Sequence, residues 1–247
     1  VLVDAVFKKD SMLVWTRSLE DWKEDQGLFL KYDLEFIHLP CVKTSPIIFS
    51  LNDIPEVYSV ALTSQKGAEF LLDSTLGKSL LSKAENIYAL GEGSANPLLS
   101  RGINATIAKS KNGADFCQWL IKSTKPETHF VLPGGTERAF DLEKAISAAN
   151  RTAQTIHIYE TKSLATTSAG LPIHPNTIST ISKGAVVCFA SPSAVVGFQN
   201  AFPNRQEIVA ICIGQTTAKA THSFKNVQVL DSPSIENLFL EAAKIAK

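Results

Sequence analysis

Cysteine is scarce: Cys41, Cys117, Cys188 and Cys212 stand far apart in 247 residues, with no C-x-x-C spacing. Three of the four sit inside apolar runs. That distribution argues against a disulfide framework or a zinc ribbon and predicts reduced core residues in a reducing compartment. Charge of one sign is lacking too, since 24 Lys and Arg balance 24 Asp and Glu. No general basic footprint for nucleic acid or a membrane surface exists, and a bound polyanion must be held locally. No apolar stretch approaches the length of a membrane span. The opening segment, Val1 to Met12, lacks a basic start ahead of its apolar residues, so export is not expected. A cytoplasmic location is the expectation, or an organelle where a leader has been removed.

Several chemical motifs are missing as well. There is no G-x-x-x-x-G-K-[ST], no G-x-S-x-G and no H-E-x-x-H, which removes the phosphate-loop, hydrolase-elbow and zinc-protease readings. Gly91-Glu92-Gly93-Ser94-Ala95-Asn96 follows an apolar run and imitates a dinucleotide fingerprint. Its third glycine is absent, and no acidic residue ends a strand about twenty positions later. The five histidines (His38, His129, His157, His174, His222) show no ligand spacing.

What is present is an ordinary globular composition, 45% apolar and 19% charged with mean hydropathy +0.06. The length suits two domains of about 120 residues each. Short apolar, often β-branched runs predict strands at Met12–Trp15, Leu34–Leu39, Tyr58–Leu62, Ile87–Leu90, Ala105–Ala108, Phe130–Leu132, Thr155–Tyr159, Ala185–Phe189, Ile208–Ile213 and Val227–Leu230. Helical periodicity predicts helices at Leu19–Leu30, Gly67–Leu76, Ala114–Ile121, Arg138–Ala149, Ala194–Ala201 and Ile235–Ala246. This alternation implies an α/β protein with parallel sheets covered by helices on both faces.

The chain also resembles itself. Ala61-Leu62-Thr63-Ser64-Gln65-Lys66-Gly67-Ala68 pairs with Cys188-Phe189-Ala190-Ser191-Pro192-Ser193-Ala194-Val195, offset by 127 residues. Tyr88-Ala89-Leu90-Gly91-Glu92-Gly93-Ser94-Ala95 pairs with Ile211-Cys212-Ile213-Gly214-Gln215-Thr216-Thr217-Ala218, offset by 123. A weaker match sets Leu13-Val14-Trp15-Thr16-Arg17 beside Phe130-Val131-Leu132-Pro133-Gly134. Two copies of one α/β unit follow, with the chain crossing between them near residues 38–46 and returning near 159–175. His157 to Asn176, rich in Ser and Thr with two prolines and no periodicity, reads as the interdomain link.

Each copy places hydroxyls where a strand hands over to a helix: Ser64, Ser94, Ser191 before Pro192, and Thr216 or Thr217. Singly they are helix caps. Collectively they stand at the carboxyl ends of parallel strands, where ligands bind and helix N-termini offer free N–H groups to anions. Arg17, Lys66 and Arg138 also follow strand ends, either to meet carboxylates or as solvated surface charge.

These pieces resemble the uroporphyrinogen-III synthase family through Leu62-Thr63-Ser64-Gln65, Leu90-Gly91-Glu92-Gly93-Ser94-Ala95, Phe189-Ala190-Ser191-Pro192-Ser193-Ala194-Val195 and Ile213-Gly214-Gln215-Thr216-Thr217-Ala218. The likeness runs from Leu13 to Ile245, with a poor match at residues 41–56; Ser94 stands where threonine is common and Gln215 where proline is common. Ile156-His157-Ile158-Tyr159-Glu160-Thr161 resembles the strand carrying the family's tyrosine. The resemblance implies two flavodoxin-like parallel-sheet domains joined by a two-stranded linker, with the substrate in a cleft between them. The expected division is 1–39 with 162–247, and an inserted domain over 40–161. It also implies a lyase that closes hydroxymethylbilane, a linear tetrapyrrole with eight carboxylates, with inversion of the last ring and loss of water. No cofactor, metal, nucleic acid or membrane is then expected, and the protein is expected to be a monomer.

Within that resemblance Tyr159 is the catalytic candidate, because a phenol can donate a proton or hydrogen bond to the departing oxygen. Thr63, Ser64, Lys66, Ser94, Ala95, Ser191, Ser193, Thr216, Thr217 and Arg17, with neighbouring amides, are the candidates for holding carboxylates. Two alternatives stay open on the residues alone: a non-catalytic two-lobed module binding a carboxylate ligand, and a Rossmann-type nucleotide enzyme.

Overall fold

Runs such as Val186–Phe189 and Val209–Cys212 carry no polar side chain, so both faces of the strands they form need cover. In the computed structural model every residue of these two strands is buried. The structure describes residues 12–31, 36–138, 140–164, 181 and 183–246. The chain begins with β1 (Leu13–Trp15), α1 (Leu19–Phe29), β2 (Phe36–His38) and β3 (Val42–Pro46). Its middle holds β4 (Ser59–Leu62), α2 (Gln65–Asp73), α3 (Thr75–Lys83), β5 (Asn86–Ala89), α4 (Glu92–Leu99), β6 (Thr106–Ile107), α5 (Gly113–Ser123), β7 (His129–Gly135), α6 (Leu142–Ala148) and β8 (Thr152–Ser163). It closes with β9 (Val186–Phe189), α7 (Pro192–Ala201), β10 (Val209–Cys212), α8 (Gln215–Ala218), β11 (Asn226–Val229) and α9 (Ile235–Ala246).

Two units result, Val1–Thr44 with Lys162–Lys247, and Ser45–Thr161. One sheet has the order β11-β10-β9-β1-β2 and the other β3-β8-β7-β4-β5-β6. The pairings from β2 through β11 in the first sheet, and from β8 through β6 in the second, are parallel. The first sheet has the flavodoxin order, with the strand sequence reversing between β1 and β9. The self-similarity maps β1 on β7, β9 on β4 and β10 on β5. Under that mapping β2-β1-β9-β10-β11 and β8-β7-β4-β5-β6 are the same arrangement. In the first unit the pair β1 and β2 precedes its three neighbours in the chain; in the second the corresponding pair, β7 and β8, follows them. The copies are circular permutations of one design.

Strand periodicity divides each core in two. In the first unit Val14, Val187, Phe189, Ala210 and Cys212 face α7 through Ala194, Val195 and Phe198. Leu13, Trp15, Val186, Val209 and Ile211 face α9 through Leu238, Phe239 and Ala242. In the second unit Val60, Leu62 and Val131 meet Ala68, Leu71 and Leu80 of α2 and α3. Ala61, Phe130 and Leu132 meet Phe116 and Leu120 of α5 with Leu142 and Ile146 of α6. All four cysteines are free and buried. Burial pushes the thiol pKa of each one up, to about 11 for Cys212.

Some elements differ from their sequence expectations. The predicted helix Gly67–Leu76 is two helices broken at Ser74, whose Oγ accepts from the Gly77 N–H at 2.9 Å and so starts α3. The helix expected from Arg138 begins at Leu142, where Asp141 caps it by accepting from Lys144 N–H at 3.0 Å. The aperiodic link expected from His157 to Asn176 is strand as far as Ser163, the end of β8; its residues 165–176, His174 among them, lie outside the described residues. β3 is an additional element, and the helices expected at the Ser94 and Thr216 or Thr217 handovers are α4 and α8, whose N-cap residues are not those hydroxyls but Gly91 and Gly214, which leaves the hydroxyls inside the first turn. Among the described residues no helix is long and apolar enough to cross a membrane.

Candidate active site

In the second unit the strand order reverses between β4 and β7, which pair through Ser59↔Phe130 and Val60↔Val131. β4 leads to α2 on one face of the sheet and β7 to α6 on the other. Connections leaving to opposite faces open a crevice at the carboxyl ends of the strands. A pocket of about 250 Å³ occupies it, lined among others by Thr63, Ser64, Gly134, Gly135, Arg138 and Tyr159.

Thr63 is exposed just past the end of β4. Ser64 has extended backbone, and its Oγ accepts from the Gly67 N–H at 3.0 Å, capping α2. A Cβ on Gly67 would lie 3.1 Å from that Oγ and 3.6 Å from the Pro133 carbonyl, so the bare glycine lets the helix start lie close to the end of β7.

The other wall depends on two further glycines. A Cβ on Gly134 would come within 3.0 Å of Arg138 Nη2, and one on Gly135 within 2.7 Å of Tyr159 Cε2. Successive glycines in a strand mark a close approach of other groups to the backbone, here a guanidinium and a phenol. The Tyr159 ring stacks on Phe70, centroids 5.0 Å apart and planes at 15°. With Gly135 on one side and Phe70 holding the ring, the phenol has a fixed orientation. Its hydroxyl makes no hydrogen bond among the described residues.

Arg138 donates from Nη2 to the Leu132 carbonyl at 2.8 Å, from Nε to the Gly135 carbonyl at 3.2 Å, and from Nη1 to Thr155 Oγ1 at 3.3 Å. Burial pulls its pKa down from the usual arginine value, against Tyr159, Glu143 and Asp141, which act to raise it. An arginine stays protonated nonetheless, so the shift reports a positive charge partly deprived of water.

Of the residues singled out from sequence, Thr63, Ser64, Arg138 and Tyr159 are thus brought into one pocket. Lys66 lies half-buried in the first turn of α2. Ser94 and Ala95 are buried in the first turn of α4, where Ser94 Oγ donates to the Gly91 carbonyl at 2.9 Å and accepts from its N–H at 3.2 Å. The remaining candidates belong to the first unit. Ser191 caps α7 by accepting from the Ala194 N–H at 3.3 Å, and its Oγ is 3.3 Å from that of buried Ser193. On α8, Thr216 is exposed and Thr217 buried. Arg17 pairs with Asp21 at 3.4 Å and with Asp25. Glu137 and Phe140 also line the pocket, and sequence reasoning does not reach them; the signal available for this wall is the Pro133-Gly134-Gly135 strand ending.

Fold and pocket together define a class: a duplicated parallel α/β protein with a crevice at a topological switch point, lined by hydroxyls, a guanidinium and a phenol. The chain matches the family model described as Uroporphyrinogen-III synthase HemD over residues 23–239, and it belongs to that family. Its structure is similar to uroporphyrinogen-III synthetase from Helicobacter pylori 26695, with a TM-score of 0.65 at 16% identity, covering 95% of this chain and 99% of that one. It is also similar to a mutant uroporphyrinogen III synthase from the extremely thermophilic bacterium Thermus thermophilus, with a TM-score of 0.53 at 14% identity, covering 95% and 98%. No curated protein matches the sequence. Neither the binding-module reading nor the nucleotide-enzyme reading gains support from these matches.

Proposed function

We propose that the protein is a uroporphyrinogen-III synthase, a lyase that cyclises hydroxymethylbilane with loss of water and inversion of the last pyrrole ring. The observation that carries the reading is the Tyr159 phenol, oriented by Gly135 and Phe70 and with no hydrogen bond to its hydroxyl among the described residues, in the same pocket as Thr63, Ser64 and Arg138. The substrate's own electrons break the C–O bond: a pyrrole nitrogen pushes out the terminal hydroxyl, which takes a proton and leaves as water. Tyr159 donates to that oxygen. The substituted carbon of the last ring then attacks the resulting electrophile, forming a spiro intermediate that fragments and recloses with that ring reversed, and the proton released from the ring's free α-carbon as it regains aromaticity restores the Tyr159 phenol. The protein's main contribution is to hold the two ends of the bilane together, and positioning of this kind lowers a barrier by several kcal/mol.

A pocket of about 250 Å³ takes one end of such a substrate, not the whole of it. Thr63 and Ser64 are assigned to carboxylates there, and Ser94, Ser191, Ser193, Thr216 and Thr217 to other arms. The reading extends to a monomeric enzyme of the cytoplasm that works without a cofactor. The test supplies fresh hydroxymethylbilane and separates the oxidised products by chromatography. The wild type is expected to give the III isomer above the spontaneous I isomer, and Tyr159→Phe is expected to lower kcat about a hundredfold with little change in KM. An unchanged isomer ratio with wild-type protein overturns the activity, and full turnover by Tyr159→Phe overturns the role of the phenol.

A further inference from the structure

Arg138 is built into the β4/β7 crevice in a way that leaves its charge to be answered from outside the chain. Its three described hydrogen bonds go to two carbonyls and a hydroxyl, all uncharged, supplied by β7 and β8. A guanidinium has five N–H donors, so three bonds leave two donors over. It forms no ion pair with a carboxylate among the described residues. Of the acidic groups around it, Asp141 Oδ1 accepts from the Lys144 N–H at 3.0 Å and Glu143 Oε2 from the Thr155 N–H at 3.0 Å, while Glu137 lines the same pocket without pairing with it. Gly134 contributes no side chain to screen the guanidinium, and the pocket that Arg138 lines also contains Ser64 and Tyr159.

We infer that Arg138 is a receptor for one substrate carboxylate, gripping it with its remaining donors so that the reacting end of the molecule lies against the Tyr159 hydroxyl. A planar guanidinium already fixed through Nε and Nη2 by strand carbonyls loses little freedom when its remaining N–H groups grip a carboxylate, which a lysine cannot reproduce. This assignment rests on the activity proposed above and adds the residue that selects and orients the anionic end. It also explains how a chain of zero net charge holds a polyanion: the positive charge is local and partly desolvated.

The test is steady-state kinetics with hydroxymethylbilane for Arg138→Gln and Arg138→Lys. Arg138→Gln is expected to raise KM about 10- to 100-fold while kcat falls by less, the opposite split from Tyr159→Phe. Arg138→Lys, which keeps the charge and loses the fork, is expected to raise KM several-fold. An Arg138→Gln protein that melts like the wild type and keeps its KM overturns the assignment. Should that variant fail to fold, the wild type decides: uroporphyrin III, which has eight carboxylates, is expected to protect Arg138 from an arginine-directed dicarbonyl reagent in peptide mapping. Unprotected Arg138 overturns the assignment. A wild type that makes no III isomer breaks the proposed activity instead, and the protection measurement still decides for Arg138.

Discussion

In the first unit Arg17 follows β1 and meets two carboxylates on α1; in the second, Arg138 follows β7 and meets only neutral oxygens. β1 and β7 correspond in the duplicated design, so the two arginines stand beside corresponding switch points. Around Arg17 the space is filled. Asp25, nearly inaccessible, accepts from Trp15 Nε1 at 2.8 Å as well as from the guanidinium, and Thr16 Oγ1 donates to the Cys188 carbonyl at 2.6 Å. Trp22 stacks on His38 with centroids 4.5 Å apart. Duplication gave two switch points, and the lesson of the pair is electrostatic. An arginine whose charge is cancelled within the chain fastens the fold, whereas one held by carbonyls keeps its charge available for a ligand.

Removing Arg17 breaks that comparison most severely. Burial raises the pKa of Asp25 above the ordinary carboxylate value, with Arg17 and the Trp15 indole acting to lower it. Without Arg17 the carboxylate is a buried charge with its main partner gone, and losing one partner of such a pair costs about 3–5 kcal/mol. Arg17→Met is therefore expected to lose that much in chemical denaturation, and Arg17→Met with Asp25→Asn to regain most of it. A single variant as stable as the wild type would show that Arg17 is not a fastening and return it to the pool of substrate contacts.

Glycines give the next contrast. A Cβ on Gly197, in α7 of the first unit, would lie 2.1 Å from the Cys41 carbonyl oxygen, a backbone atom with little room to retreat. Overpacking of this kind costs about 1–3 kcal/mol, so Gly197→Ala is expected to lower the melting temperature. In the second unit the Cβ of Gly135→Ala would press on the Tyr159 ring, 2.7 Å away. Its expected effect is a fall in kcat of tenfold or more, with a smaller loss of stability than Gly197→Ala. Equal losses of stability with full activity would erase the distinction between a packing glycine and a site glycine.

The strands are legible because burial on both faces of a sheet writes itself as short apolar runs, and the internal likeness of Leu62-Thr63-Ser64 to Phe189-Ala190-Ser191 is visible because both copies need the same handover from strand to helix. β8 extends past its apolar pattern because its outer residues, Thr152 and then Glu160 to Ser163, are polar; the pairing with β7 makes Thr152 to Tyr159 strand, and beyond Tyr159 the neighbour that remains in the sheet order is β3. The break at Ser74 is hidden because apolar periodicity continues across it. At the site, Thr63, Ser64 and Tyr159 can be named from position and family likeness. The difference between Arg17 and Arg138 cannot, since both follow apolar runs and what separates them is the acceptors that folding brings: Asp21 and Asp25 for one, the Leu132 and Gly135 carbonyls for the other.

The smallest expected effect concerns histidine and pH, and it again sets one unit against the other. Burial lowers the pKa of His38 in the first unit and of His129 in the second. A histidine whose folded pKa lies below the ordinary 6.5 binds its proton more readily in the unfolded chain, so stability falls as pH drops below about 6.5 and levels off beneath the folded value. His38 has compensation, because its Nε2 lies 2.9 Å from the Arg17 carbonyl, an acceptor that favours the protonated ring. His129 Nε2 is buried with no partner among the described residues, and burial is the only cause acting on it. Denaturation from pH 7.5 down to pH 5 is therefore expected to show stability decreasing, and His129→Leu to flatten that decrease. A slope left unchanged by the substitution would assign the pH dependence to the first unit, where His38 titrates beside the Arg17–Asp25 pair.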